Sequence, residues 1–284
     1  MPGALAVWAR RAGLLLAVAG CAWLTHGLLA EHRSGNARWP GWGELVLAAL
    51  ACALAISALA IGWAQLLRSL DPRCDVLAAM RAYALSQPAK YLPGNVAHFG
   101  ARHLMGRSAG LSHRDLLWAT ALESMVLIGC ALAGAGFGDR PWPLPVLQQL
   151  PLSWLGALLL VASVAVVFLV TRRAASIPRL VAFMVCAAAY FLLTTVALSL
   201  LAGNLAAFGP LLPGVTLSWI AGYLVIGAPG GVGVRESVLA QMLPGVAGAA
   251  MVVTAAVTFR VSLMLGEALL FALASLSAPD PRKP

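Results

Sequence analysis

Six stretches of this chain, near residues 12–30, 45–67, 116–137, 153–171, 180–202 and 248–273, are almost free of charge and long enough to cross a lipid bilayer as helices. A hydrocarbon core of about 30 Å needs roughly 20 helical residues. Inside lipid the backbone must satisfy its own polar groups, which an uninterrupted apolar run of that length does as a helix. The expectation is an all-α polytopic membrane protein forming one integral membrane domain over residues 1–284. Composition agrees, with 61% hydrophobic and 10% charged residues, against about 25% charged in a soluble domain.

The borders of the runs fit. Trp39 and Trp42 precede the second and Trp154 opens the fourth, as interfacial anchors do. Ser112 with Asp115 forms a capping pattern before the third. The first run follows Arg10 and Arg11 and is too long for the apolar core of a secretory signal, so a retained helix is expected. The net charge of +9 is spread over several loops, which suits anionic lipid head groups and argues against a nucleic-acid partner. With the N-terminus inside, most basic residues fall on the cytoplasmic side. The five cysteines, Cys21, Cys52, Cys74, Cys130 and Cys186, have neither metal-ligand spacing nor a disulfide pattern. No metal and no cofactor is expected.

Two further regions are apolar but interrupted. Residues 75–106 contain "SQPAKYLPGNVAHFGARHL", and residues 205–243 contain "YLVIGAPGGVGVRESVLAQML". Each break carries Pro-Gly-x-Val, at Pro93, Gly94, Asn95 and Val96 and again at Pro229, Gly230, Gly231 and Val232. An arginine follows each, Arg102 and Arg235, the latter beside Glu236. The two regions form a pseudo-repeat. A broken helix at membrane depth survives only where protein or a polar cavity satisfies its backbone, and paired broken segments point to a transporter's substrate site. The helix after Gly233 would offer free N–H groups to an anion. The plainer alternative for 229–236 is a cytoplasmic turn with a solvated charge pair. Positive-inside bias at Arg282 and Lys283 favours re-entry of 229–243, because that brings the tail inside.

Three charges sit inside the long runs. Arg260 and Glu267 are seven residues apart, within about 20° of one helix face. Glu123 lies eight residues past Asp115. A charge at a helix centre costs about 2.5–3.5 kcal/mol on the insertion scale, so such groups face the bundle interior and pair. One reading is a structural ion pair of Arg260 with Glu123 or Glu267; the other is a substrate path. Lys90, Tyr91, Asn95, His98, Arg102 and His103 crowd the first break, either ringing an anionic head group or lying as a basic stretch on the inner leaflet. His98 and His103 are five apart, a poor zinc spacing. No P-loop is present, and no enzymatic activity is expected.

"KYLPGNVAHFGARHLMGRSAGLS" and "APGGVGVRESVLAQML" resemble two motifs of the transmembrane region of lysylphosphatidylglycerol synthases and the flippase-like proteins related to it. The resemblance covers roughly residues 75 to 270, and Arg260 matches an arginine in that family's final helix. It implies a bundle of about eight helical elements in a bacterial inner membrane that moves or binds lipid head groups. Carried over, it marks Pro93, Gly94, Pro229, Gly230, Gly231, Gly233, Arg235, Glu236 and Arg260 as functional. Asn95 departs from the lysine usual there. Full synthases carry a soluble aminoacyl-transferring domain after the membrane region; none follows here before Pro284, so the expectation is a chain that does not make lysyl-lipid by itself. The functional expectation is a flippase or transporter for an anionic or glycosylated lipid, with Lys90, Tyr91, Asn95, Arg102, Glu123 and Glu267 also on the path. The alternative is a scaffold presenting lipid to a separate transferase.

Overall fold

The computed structural model describes residues 39–92, 96–137, 150–172, 176–203, 208–225, 227–243 and 252–277, with positions 15, 18–22, 25–27, 29 and 33 nearer the N-terminus. Among these residues there are helices and no strands. In chain order they are α1 (Trp42–Leu70), α2 (Val76–Ser86), a 3-10 turn (Gln87–Tyr91), α3 (Ala97–Ser108), α4 (His113–Ala135) and α5 (Leu152–Thr171). Then come α6 (Ile177–Leu201), α7 (Phe208–Leu224), a second 3-10 turn (Pro229–Gly231), α8 (Val234–Met242) and α9 (Val252–Leu276). Five of them, α1, α4, α5, α6 and α9, are long and apolar enough to cross a membrane. The expected span at 12–30 falls largely outside the described residues, and the positions described within it are helical.

Local chemistry sets the helix ends. Ser112 Oγ accepts from the Asp115 backbone N–H at 3.0 Å and donates to Asp115 Oδ2 at 2.6 Å, so the expected cap of α4 forms. Asp75 caps α2 by accepting from Leu77 N at 2.9 Å. Glu44 reaches back to the Gly41 N–H at 2.9 Å and starts α1 three residues before the apolar run. Pro88 stops α2, because it has no N–H to continue the ladder. Hydroxyls inside the apolar helices fold back on their own backbone, as Thr195 does onto Phe191 O at 2.7 Å and Thr258 onto Thr254 O at 2.7 Å. This leaves no polar atom of theirs facing lipid.

Helix α1 packs along α6 and α9, α4 packs on α5, and α7 on α8. Small residues permit the close crossings: a Cβ on Gly266 would sit 2.7 Å from Ala53 N, so α9 and α1 meet backbone to backbone. Two apolar clusters result. One surrounds Trp63, Phe183, Tyr190, Phe191 and Trp219, and the other gathers Leu211, Leu239, Leu243 and Phe259 between α7, α8 and α9.

Arginines close several helix ends on one face of the bundle. Arg179 Nη1 donates to Arg68 O at 2.7 Å, Ser176 Oγ to Ser69 O at 2.7 Å, and Arg81 Nε to Ala274 O at 3.0 Å. The carbonyls at a helix C-terminus have no partner within the helix, and a cation beside them is favoured. The end of α1, the start of α6, the end of α9 and α2 therefore share this basic face. Residues 109–111, just before α4, line a cavity with Asp71, Arg73 and Cys74, so α4 starts there too. Helices α2, α3 and α8 have 11, 12 and 9 residues, or about 16, 18 and 14 Å at 1.5 Å per residue. None of the three bridges a core of about 30 Å alone.

Candidate functional site

The two interrupted regions meet. The 3-10 turn at Gln87–Tyr91 packs against α9 and against the turn at Pro229–Gly231, which Arg260 of α9 reaches through the Gly230 carbonyl. Pro229 and two glycines set the second turn. Ala228 is extended, as a residue before proline must be, and Gly230 takes φ +58°, a left-handed conformation that penalises side chains. A Cβ on Gly230 would stand 2.9 Å from Arg260 Nη2 and 3.0 Å from the Tyr91 ring. The position is thus glycine for two reasons, backbone conformation and close approach.

Each buried carboxylate has a cation. Glu123 of α4 (2% exposed) holds Arg102 of α3 (3% exposed), whose Nη1 donates to Oε1 and Oε2 at 2.8 Å each. The Arg102 guanidinium also sits among the rings of Tyr83, Phe99 and Trp63, at 4.5, 5.2 and 5.4 Å from their centroids. Glu267 of α9 accepts from Lys90 and from Tyr91 Oη, the latter at 2.9 Å. Glu236 of α8 accepts from the Gly233 N–H at 2.7 Å, capping its own helix, and faces Arg260 Nε at 3.4 Å. Arg260 Nη2 donates to the Gly230 carbonyl at 2.8 Å, and its guanidinium lies 5.5 Å from the centre of the Tyr91 ring.

Three carboxylates thus take up three of four cations, and Arg235 is the fourth. Its side chain threads between two glycines: a Cβ on Gly231 would lie 2.8 Å from Arg235 Nε, and one on Gly222 would collide with its Cγ and Cδ. Its Nε is buried with no hydrogen-bond partner, and no ion pair of Arg235 exists among the described residues. The Trp219 ring lies 5.9 Å from its guanidinium, centroid to Cζ. Arg235 opens onto a cavity of about 70 Å³ whose wall includes Lys90, His98, Arg102, Glu123, Trp219 and Glu267. That is room for a few water molecules or a small polar group. Chemically it is an aromatic-walled space with one cation in excess.

Sequence reasoning placed Lys90, Tyr91, Arg102, Glu123, Gly230, Gly231, Gly233, Arg235, Glu236, Arg260 and Glu267 on one path, and the fold brings them around this cavity and the two turns beside it. Pro229 opens the second turn; Pro93, Gly94 and Asn95 lie outside the described residues. The expected ion pair of Arg260 with Glu123 or Glu267 is not what forms. Glu267 lies two helical turns from Arg260, about 10 Å along the axis, and is taken by Lys90; Glu123 is taken by Arg102. Arg260 turns instead to Glu236 and Gly230. Tyr190, Trp219, Tyr223 and Gly222 were missed, because aromatic residues and glycines in an apolar run carry no mark that separates cavity wall from core. Trp219 and Tyr223 do stand one turn apart, stacked at 4.8 Å with planes 13° apart.

The five cysteines are free, and no group of three metal-ligating side chains exists among the described residues. No family model matches the chain, and no curated protein matches it.

Proposed function

We propose that this protein is a lipid transporter of the flippase type, which takes the anionic head group of a lipid into the cavity beside Arg235. The observation that carries the reading is Arg235 itself, a cation held at membrane depth by two glycines with no carboxylate of its own. Arg235 is half-buried; a charge drawn partly out of water without a partner is costly, and an anionic ligand offsets that cost directly. A guanidinium suits phosphate or carboxylate, since its planar donors match paired oxygens.

The arrangement of the helices supports the same reading. On this view α2 and α3 form a hairpin that enters from the basic face and returns to it. Helices α7 and α8 form a second that enters from the opposite face, where α6 ends and α9 begins. The tips meet at the two 3-10 turns. Two hairpins of opposite entry, touching at a charged cavity, are the arrangement expected of alternating access between inverted halves. With the helix at 12–30 this gives six spans and two re-entrant segments, in a bacterial inner membrane with the basic face cytoplasmic. The resemblance to the transmembrane region of lysylphosphatidylglycerol synthases is consistent with a lipid cargo.

The test is to purify wild type, Arg235→Met and Arg260→Met, identify bound lipids by mass spectrometry, and reconstitute each with a fluorescent anionic lipid in liposomes. Loss of both the bound anionic lipid and its translocation in Arg235→Met, with the protein still folded, is the expected result. Unchanged lipid content and translocation would overturn the reading, and a lipid-presenting scaffold would then be the better account.

A further inference from the structure

Beside the arginines of the same cavity, His98 also carries an unsatisfied polar atom. His98 is the second residue of α3, at the tip of the first interrupted region, and its ring stands on the cavity wall with Arg235. Its Nδ1 is buried and has no hydrogen-bond partner. Burying a polar atom unpaired is costly, and native proteins leave few such atoms. Packing against Phe99, at 3.9 Å between ring centres, fixes where the ring can point.

The surroundings restrict what can pair with it. Lys90, Arg102 and Arg235 share this wall, and the two carboxylates on it, Glu123 and Glu267, are already engaged. A proton on the imidazole would face three cations, so the ring is neutral, and each of its nitrogens is either a donor or an acceptor according to tautomer. The same cations repel an ammonium group. A hydroxyl both donates and accepts and therefore satisfies Nδ1 in either tautomer.

We infer that His98 is a specificity-determining residue, which selects anionic head groups carrying a free hydroxyl beside the phosphate and disfavours those ending in a methyl or an ammonium. The inference rests on the proposal that Arg235 holds the anion. Its ligand class is a polyol phosphodiester, supplied either by a lipid or by the corresponding free head group.

The experiment compares binding of four ligands to the full chain in detergent by native mass spectrometry. Phosphatidylglycerol carries phosphate and hydroxyls; phosphatidylmethanol has the same charge without a hydroxyl; phosphatidylcholine is the zwitterionic reference; deacylated phosphatidylglycerol is the free head group. One neutral hydrogen bond gives a preference of about two- to tenfold. Wild type is expected to prefer phosphatidylglycerol over phosphatidylmethanol by that factor. His98→Phe should bind both equally, and His98→Asn, which can place an amide near Nδ1, should keep the preference. A preference that survives in His98→Phe overturns the inference. So does equal binding of the two anionic lipids by wild type; if both are then lost in Arg235→Met, the anion site stands and only the role of His98 falls. Binding of neither anionic lipid above phosphatidylcholine, with no binding of the free head group, overturns both. Displacement of bound phosphatidylglycerol by the deacylated form assigns the ligand to the soluble pool, and resistance to it assigns the ligand to the bilayer; the hydroxyl preference is required in either case.

Discussion

Two arginines that flank the same turn should respond to the same substitution with opposite signs. Arg260 is paired: its Nη2 bonds the Gly230 carbonyl at 2.8 Å and its Nε faces Glu236 at 3.4 Å. Replacing it with methionine leaves Glu236, 5% exposed, as a buried carboxylate without its cation. Breaking a buried pair in this way costs about 3–5 kcal/mol. Arg235 has no such pair, and the Trp219 ring at 5.9 Å returns about 1–2 kcal/mol of its desolvation cost. Methionine is unbranched and fills the slot between Gly222 and Gly231 that the arginine stem now occupies. Removing the charge there should stabilise by about 1–2 kcal/mol. A chain of this size shifts its midpoint by roughly 2–4 °C per kcal/mol. Thermal unfolding in detergent, at one scan rate because unfolding of such proteins is seldom reversible, should show Arg235→Met a few degrees above wild type and Arg260→Met about 10 °C below. If Arg235→Met falls as far as Arg260→Met, Arg235 is held by a partner, and the excess cation on which the anion site rests does not exist.

Three further perturbations probe the surrounding structure. Glu123→Ala should lower the midpoint on the order of 10 °C by stranding Arg102 in its aromatic surround, while the double variant Arg102→Met with Glu123→Leu should recover most of that loss, since an apolar replacement of a buried pair is often neutral. Gly230→Ala should destabilise by about 2 kcal/mol through the left-handed φ and the contact with the Tyr91 ring, and Tyr91→Ala on that background should return part of it; equal midpoints for Gly230→Ala and wild type would refute the close approach. In the loop before α2, burial and the nearby Asp71 and Asp75 push the Cys74 thiol up to about 11. In a chain whose other cysteines are replaced, maleimide labelling of Cys74 should quicken tenfold per pH unit from 7 to 10, with no plateau near 8.5.

The helical class and the five long spans were legible in hydropathy because lipid leaves the backbone few alternatives. The break at Pro229–Gly231 was legible for the same reason, since proline and glycine mark where the ladder stops. What the sequence hid was pairing. Arg102 and Glu123 are 21 residues apart and Lys90 and Glu267 are 177 apart, and a helical wheel gives the direction a charge points without saying which neighbour meets it. Arg260 and Glu267 share a face, as read, yet each serves a different turn. Glu236 looked like half of a local pair with Arg235; the demand of the α8 N-terminus for a cap bends it back to Gly233 instead. Adjacent helical residues do not face each other, so Arg235 gains no ion pair from its neighbour.

Helix α9 ties the two turns together, and this sets what any movement between them must break. Glu267 holds Lys90 and Tyr91 of the first turn, while Arg260 holds Gly230 of the second. Tyr91 bonds Glu267 and also touches Gly230 and Arg260, so the turns cannot separate without one of them leaving α9. If the first turn leaves, Glu267 loses Lys90 and becomes a free carboxylate across the cavity from Arg235. If the second leaves, Arg260 loses Gly230 and Glu236 and becomes a second unpaired cation. The two departures therefore change the cavity's need for an anion in opposite directions. If an anion binds beside Arg235 as proposed, it would favour the movement that frees Arg260 and oppose the one that frees Glu267, and occupancy would then be coupled to the position of the turns through the charges of one helix.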